Sequence, residues 1–385
     1  MLANIIAVAA AIGWIYIIAA RGGFWLVAER ETEAAALTTW PPVAVIIPAR
    51  NEADGIAEAV DSLLRQDYSG PCSIVVVDDQ SIDDTAGAVR RSAVAAGATD
   101  RVTILSGAPL PQGWTGKLWA MKQGIDHAQK SSPTYLLLTD ADIVYERDAV
   151  AKLVSRSHAD GLVLNSWMVK LRCESFAERA LIPAFIFFFQ MLYPFAWVRR
   201  QDRTTAAAAG GCMLVRLDAL RAAGGLEPIR GELIDDCALA SSMKKQGAIL
   251  LGLTERVRSI RAYPKINDIR LMVARSAYAQ LRYSPLLLAG TLASMTLIFI
   301  APVLCAFSVG LAQVLGLLTW GAMAIVFQPT LRFYRVSPLW GLLLPAIALS
   351  YMAFTIDSAY LSYAGRGGLW KGRIQAKKTG CDDRY

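Results

Sequence analysis

Two aspartates at spacing two, Asp140 and Asp142, follow the apolar run Leu136-Leu137-Leu138. If that run ends a buried strand, residues two apart point to the same side. The carboxylates could then converge on one hard cation, and oxygen ligands of this kind suit Mg²⁺ or Mn²⁺. A divalent ion at a strand end commonly holds a phosphate-bearing substrate. The same spacing also arises in solvated turns, so the pair alone leaves both readings open. Asp78-Asp79 close another apolar run and equally suit a turn or cap leading to Asp83-Asp84-Thr85. Lys117, after Gly113-Trp114-Thr115-Gly116, opens a helix. There it suits a phosphate contact or is simply a solvated lysine.

These residues need elements to position them, and the chain supplies a regular alternation. The apolar runs 43–47, 73–77, 102–105 and 135–138 predict strands, and 54–66, 84–96 and 118–129 predict helices between them. Continuously apolar strands alternating with helices imply an α/β fold whose parallel sheet is covered on both faces. Such sheets bind ligands at the C-terminal ends of their strands. Pro48-Ala49-Arg50-Asn51-Glu52, Asp78-Asp79 and Asp140/Asp142 all stand there.

Of the 385 residues, 55% are apolar and 18% charged. That is too apolar for an ordinary soluble enzyme and too charged for a pure transporter, and the apolar residues cluster. Residues 1–27 read as a retained transmembrane anchor, because 2–20 carry no charge and the first basic residue, Arg21, follows the run. A polar linker spans 28–41, and a cytosolic domain spans 42–283. Within that domain 181–203, broken by two prolines and a Gln, reads as an amphipathic helix pair lying on the bilayer. Residues 284–362 read as C-terminal transmembrane helices, with two spans joined near Ser308–Gln313 and a last apolar run over 338–356. Counting crossings puts the basic tail 363–385 outside, against the positive-inside rule.

The formal net charge is +7. Its basic residues lie largely beside the apolar segments: Arg199, Arg200 and Arg203; Arg270, Arg275 and Arg282; then Arg366, Lys371, Arg373, Lys377 and Lys378. No basic arm with interleaved aromatic residues accompanies them, so the charge points to a membrane surface and away from nucleic acid. The six cysteines show no C-x-x-C spacing, and two histidines are too few for a histidine-based zinc site. Thiols in a reducing compartment are expected.

Four elements occur in order: Ile46-Ile47-Pro48-Ala49-Arg50-Asn51-Glu52, Val75-Val76-Val77-Asp78-Asp79, Asp140-Ala141-Asp142, and Gly231-Glu232-Leu233-Ile234-Asp235-Asp236 closed by Lys244-Lys245-Gln246-Gly247. This ordered set resembles the inverting glycosyltransferase family 2, over about 42–283. The resemblance implies a GT-A, Rossmann-like nucleotide-sugar-binding domain. It implies a base-pocket acid at Asp79 and a nucleoside-lining loop at Pro48, Ala49, Arg50 and Glu52. Asp142 would hold the metal, with Asp140 nearer the ribose, and Asp236 would be the catalytic base. Asp235 stands where most relatives carry Glu, and it also suits a helix cap ahead of Ala238–Lys245. Gly210-Gly211-Cys212 resembles the acceptor-side loop, where small residues would let a substrate approach.

Processive polysaccharide synthases of the family carry Gln-x-x-Arg-Trp after the catalytic aspartate. Here the nearest match is Gln280-Leu281-Arg282-Tyr283, which disfavours a polymerase and favours single transfer to a lipid. The run 274–285, with Gly113–Lys117 and Trp370-Lys371-Gly372-Arg373, is similar to the hopanoid-biosynthesis-associated glycosyltransferases. The expectation is a multi-pass enzyme of the bacterial inner membrane with its catalytic domain facing the cytoplasm. It would take a nucleotide sugar, a UDP-sugar first, and a lipid acceptor, with Mg²⁺ or Mn²⁺. The alternatives are a carotenoid or polyprenyl-phosphate acceptor, or a lipid-binding membrane protein with a degenerate transferase domain. A dinucleotide oxidoreductase is disfavoured, since no G-x-G-x-x-G follows the first strand.

Overall fold

The computed structural model describes residues 1–31, 37–370 and 373–374, and within them the chain forms two units. One unit, Glu29–Arg172 with Trp197–Ala262, carries the sheet. Its strands are β1 Val43–Ala49, β2 Cys72–Asp78, β3 Val102–Ser106, β4 Tyr135–Leu138, β5 Ile143–Tyr145, β6 Leu164–Lys170, β7 Met213–Arg216 and β8 Ile249–Ser259. They lie in the order β3-β2-β1-β4-β7-β6-β8-β5. The β3-β2-β1-β4 half is parallel, as the apolar runs predict, while β7 runs antiparallel to both β4 and β6. The predicted helices appear as Ile56–Leu64, Thr85–Ala95 and Gly116–Ala128.

Every residue of β1 is buried, which is why it reads as a continuous apolar run rather than an alternating one. Pairing of β1 with β4 stops at Ile46–Leu138, whereas pairing with β2 continues to Ala49–Asp78. The sheet edge therefore steps down where residues 139–142 leave β4. Helix Gly116–Ala128 lies close to this half of the sheet, because Gly124 has no side chain. A Cβ there would meet Ile46 Cγ2 at 2.6 Å. The first residues of the predicted linker also belong to this unit: Arg30 bridges to Leu253 of β8, with Leu253 N donating to Glu29 O at 2.8 Å.

The other unit comprises Met1–Ala28, Cys173–Ala196 and the chain from Tyr263. The sheet unit thus ends at Ala262 rather than 283, and 173–196 belongs with the apolar helices. Helix Phe176–Leu192 opens with a capping box, in which Ser175 Oγ accepts from Glu178 N and Glu178 Oε2 accepts from Ser175 N. The same carboxylate accepts from Tyr263 N at 2.7 Å. A second helix, Phe195–Arg199, follows the break at Pro194. The predicted helix pair is present, but Leu181, Ile182, Ala184, Ile186, Phe187 and Phe188 are all buried. Most of the first helix is enclosed by its neighbours, leaving no broad apolar face to lay on a bilayer.

Among the described residues, four helices are long and apolar enough to cross a membrane: Leu2–Ala20, Pro285–Ala306, Leu311–Phe333 and Leu344–Tyr363. Gly316 lets the second and third approach backbone to backbone; a Cβ there would lie 2.5 Å from Ala306 N. The last helix differs from the others. Its Asp357 pairs with Arg270 of helix Ile266–Ala274. The neighbouring Ser358 Oγ donates to Ala274 O and accepts from Tyr278 N at 3.0 Å. Of the basic tail, residues 371–372 and 375–385 lie outside the described residues.

Candidate functional site

The step in the sheet edge gathers the acidic residues. β4 ends at Leu138, and Thr139 turns out of the sheet, its hydroxyl donating to Gly211 O at 2.8 Å. The Tyr145 hydroxyl donates to Thr139 Oγ1 at 2.9 Å. This network ties the end of β4 to the loop before β7. Asp140-Ala141-Asp142 are thus a turn between β4 and β5, not strand residues. The two carboxylates are neighbours because of that turn and not through strand alternation.

Lys117 is neither solvated nor free at the helix start. Its ammonium lies 2.9 Å from Asp140 Oδ1 and 3.3 Å from Asp235 Oδ2, and only 17% of its side chain is exposed. Burial pulls the Lys117 pKa down, but Asp140 and then Asp235 outweigh it and hold the ammonium above the ordinary lysine range. Burial raises the Asp140 carboxyl, Lys117 opposes the rise, and the charge of Asp142 adds to it. About a third of the Asp140 side chain, 36%, still reaches solvent.

Asp235 and Asp236 form the first turn of helix Asp235–Lys244. Asp236 Oδ2 accepts from Gly210 N at 3.0 Å and Oδ1 accepts from Cys237 N at 2.8 Å. Burial, and secondly the charge of Asp235, push the Asp236 carboxyl up to about 6. Such a group is charged at neutral pH and still basic enough to take a proton, as a general base must be. Asp235 Oδ2 is buried and makes no hydrogen bond; its partner is the Lys117 ammonium.

Asp142 is held from the other side, by residues the sequence did not flag. Ser259 Oγ donates to Asp142 Oδ2 at 2.9 Å and Arg261 Nε donates to the same oxygen at 3.0 Å. The same guanidinium reaches Glu52 Oε1 at 2.7 Å. Arg261 therefore joins the β1 loop to the Asp140/Asp142 turn. Ser259 ends β8, but a lone serine and arginine after a strand form no recognisable motif, so only the fold reveals them.

The loops after β1 and β2 interlock. Asn51 N donates to Ser81 Oγ at 3.0 Å, Ile82 N to Asn51 Oδ1 at 2.9 Å, and Glu52 N to Thr85 Oγ1 at 2.9 Å. Pro48 and Ala49 are buried in β1. Asp79 is wholly buried, and Arg50 lies over it, donating to Asp79 O with its guanidinium 3.9 Å from the carboxylate. Asp78 makes a turn contact, accepting from Ser81 N. Asp84 occupies the N-cap position without a capping hydrogen bond; Asp83 Oδ1 accepts from Thr85 N instead.

The expected acceptor-side loop is differently constrained. Cys212 is fully buried, and burial pushes its thiol up to about 12, so it is an inert core residue. A Cβ on Gly211 would meet Val169 Cγ2 at 2.8 Å, and one on Gly210 would come 3.1 Å from Lys117 Nζ. The glycines make room for the sheet and for the charge cluster. Gln280 and Arg282 belong to the helical unit, where Gln280 Nε2 donates to the Tyr193 hydroxyl. They are not part of the unit that carries the carboxylates.

Known proteins resemble parts of this chain. Residues 44–224, just under half of it, match the model of Glycosyl transferase family 2. Over 158 residues the chain is 34% identical to an N-acetylglucosaminyltransferase of Azorhizobium caulinodans, covering 40% of this chain and 37% of that protein. Over 118 residues it is 33% identical to a 4,4'-diaponeurosporenoate glycosyltransferase of Staphylococcus aureus, covering 30% of this chain and 28% of that one. The match thus spans well under half the length of either relative. Among solved structures, a mannosyltransferase from Pyrobaculum calidifontis in complex with GDP-Man and Mn²⁺ superposes with a TM-score of 0.57 at 20% identity, over 93% of this chain and 98% of that one. That likeness shows a shared GT-A fold.

Among the described residues, no three His, Cys, Asp or Glu side chains group as a metal cage. A small hard ion does not need one, because Mg²⁺ is usually held by one or two carboxylates together with substrate phosphates and water. Asp140 and Asp142 are such a pair. Their mutual repulsion, and the cations that each already attracts, mark them as a donor set suited to a divalent ion.

Proposed function

We propose that this chain is a membrane-bound inverting glycosyltransferase. It moves a sugar from a nucleotide-sugar donor, read as uridine-linked, to the hydroxyl of a polycyclic or isoprenoid lipid. The observation that carries the reading is the Asp236 carboxylate. It is half-buried, raised to about 6, and grouped with Asp235 around the Lys117 ammonium that also binds Asp140. Asp236 takes the proton from the acceptor hydroxyl as that oxygen attacks the anomeric carbon. The nucleoside diphosphate leaves from the opposite face of the sugar, which inverts the configuration. Lys117 keeps the neighbouring carboxylates charged and offers a positive group toward the diphosphate.

Asp142 and Asp140 would hold Mg²⁺ or Mn²⁺, which when bound offsets the charge that develops on the diphosphate. Arg261 holds Asp142 and Glu52 in position for that task. Asp79 receives the nucleobase once Arg50 turns aside, and the loop Pro48–Glu52 lines the nucleoside.

The four apolar helices support a membrane setting, read as the bacterial inner membrane with the sheet unit in the cytoplasm. The Staphylococcus aureus relative's name, which refers to 4,4'-diaponeurosporenoate, supports a lipid acceptor. A hopanoid acceptor rests on the similarity of the run 274–285, with Gly113–Lys117 and Trp370-Lys371-Gly372-Arg373.

The test is Asp236→Asn, assayed as nucleoside diphosphate release and lipid glycosylation in membranes. Transfer is expected to fall at least about a thousandfold, in line with the loss of an essential base, while donor binding by calorimetry is retained. Full transfer by the variant would remove Asp236 from the mechanism. Tight lipid binding with no turnover of any nucleotide sugar by the unaltered chain would favour a degenerate transferase.

A further inference from the structure

One cation is shared between the Asp140/Asp142 turn and the loop after β1. Arg261 donates from Nε to Asp142 Oδ2 at 3.0 Å and from Nη2 to Glu52 Oε1 at 2.7 Å. A guanidinium is a planar fork, so it serves two carboxylates at once where an ammonium offers a single point of charge. One of the two, Asp142, is a carboxylate that the site would offer to a divalent ion. Two cations at one carboxylate repel each other, so the guanidinium and the ion compete for Asp142.

Neither carboxylate residue depends on Arg261 alone for its place. Ile260 N donates to Asp142 O at 3.0 Å, and Ser259 Oγ donates to Asp142 Oδ2 at 2.9 Å. These bonds tie Asp142 to the end of β8 without the guanidinium. Glu52 N donates to Thr85 Oγ1 at 2.9 Å, and Glu52 O accepts from Gly55 N at 3.1 Å and from Ile56 N at 3.0 Å. The guanidinium can therefore leave one carboxylate while both residues stay where they are.

Exposure selects Arg261 rather than Lys117 as the cation that yields. Lys117 stands on the other side of the pair, against Asp140, and is also the counter-charge of Asp235, whose Oδ2 is buried. Moving Lys117 would leave that buried carboxylate without its cation, which is costly. Arg261 is the more open of the two, with 34% of its side chain exposed against 17% for Lys117. Leaving Asp142 costs it less, because Glu52 keeps it paired and part of the guanidinium side chain already meets water.

We infer that Arg261 is a positioning residue that occupies Asp142 until the divalent ion arrives, then yields that carboxylate and pairs with Glu52 alone. The inference rests on the reading of Asp140 and Asp142 as the carboxylates of the ion, and it is tested without turnover. The full chain, purified in detergent and without nucleotide sugar, is titrated with Mn²⁺ while the electron paramagnetic resonance signal of the unbound ion is followed. Binding elsewhere on the chain is subtracted with the Asp140→Asn/Asp142→Asn double variant. A side chain that only props a metal ligand loses roughly ten- to a hundredfold in affinity when it is removed. Arg261→Gln is expected instead to bind Mn²⁺ about tenfold more tightly, the effect of removing one close positive charge. Glu52→Gln leaves Arg261 a single carboxylate and is expected to weaken Mn²⁺ about threefold, a check that stands even if Arg261→Gln does not fold. Because Glu52 acts through Arg261, Glu52→Gln should change nothing in the Arg261→Gln background, whereas a plain loss of negative charge would weaken Mn²⁺ equally in both. Weaker or unchanged binding by folded Arg261→Gln, unchanged binding by Glu52→Gln, or an equal loss from Glu52→Gln in both backgrounds would each overturn the inference and leave the ion site in place. Parent binding no greater than that of the Asp140→Asn/Asp142→Asn variant would remove the ion site itself, and the inference with it.

Discussion

Replacing Asp235 by Asn tests the electrostatics of the site without changing its shape. Asp236 rises from 3.8 to about 6, with burial the larger cause and Asp235 the second. Removing the Asp235 charge therefore lowers the Asp236 carboxyl, and a fall of about one pH unit sets the scale of the test. The burial contribution stays, and Lys117 still opposes it. If Asp236 is the base, activity follows its unprotonated fraction, and the acid limb of kcat/KM reports the free enzyme. With a limb near 6, the rate at pH 5 is about a tenth of the plateau; with a limb near 5 it is about a half. The ratio of the rates at pH 5 and pH 8 thus rises about fivefold in Asp235→Asn, whatever happens to the plateau. The assay is initial nucleoside diphosphate release in native membrane vesicles between pH 4.5 and 8.5, with the donor held below KM. An upward move of the limb in Asp235→Asn, or a parent limb already near 4, would refute the reasoning.

Two further predictions concern other parts of the molecule. Lys117→Met removes the ammonium between Asp140 and Asp235 and is expected to cost about 3 kcal/mol at pH 8, as broken buried pairs do. The cost should shrink at pH 5.5: loss of the ammonium raises Asp140 and Asp236 further, and a carboxyl with a raised native pKa loses stability as pH climbs from its unfolded value through its native one. A deficit in thermal unfolding that is equal at both pH values would contradict this. Gly316→Leu drives a side chain into the Ala306 backbone and should lower the unfolding midpoint in detergent, at a cost of about 1–3 kcal/mol typical of overpacking. An unchanged midpoint would deny the close contact of the two helices.

Much of the sheet unit is legible in the sequence because its first half is local. The strands β1, β2 and β4 are buried over most of their length, so each stands out as a short apolar run, and the helices between the strands keep them in order. The second half is not legible in the same way. β6 pairs with β8 some eighty residues later, and β7 inserts antiparallel between β4 and β6; nothing in a short window encodes either pairing. The same contrast governs the site. Asp140, Asp235, Asp236 and Lys117 announce themselves as charges at element ends, and they meet. Arg261 and Ser259 are single residues that matter only through where β8 ends. Gly211 marks a limit of such reading, because a glycine demanded by packing looks the same in sequence as a glycine left open for a substrate.

The ion pair of Asp357 with Arg270 bears on how often the chain threads the bilayer. From Leu344 to Ile356 the last helix offers about 13 uncharged residues, or about 20 Å of rise, against the ~30 Å of a hydrocarbon core. Beyond them Asp357 and Ser358 are committed to helix Ile266–Ala274 and its sequel. A helix moored in this way would dip into the lipid and stop short of the far leaflet. Three of the four apolar helices among the described residues would then cross, and the parity of the chain would change. The residues after the helix would return to the face from which it entered, which would remove the conflict between the basic C-terminal end and the positive-inside rule. Single cysteines at Val309 and Arg366, probed with an impermeant maleimide in intact and inverted vesicles, should label from opposite faces; labelling from one face would restore the fourth crossing.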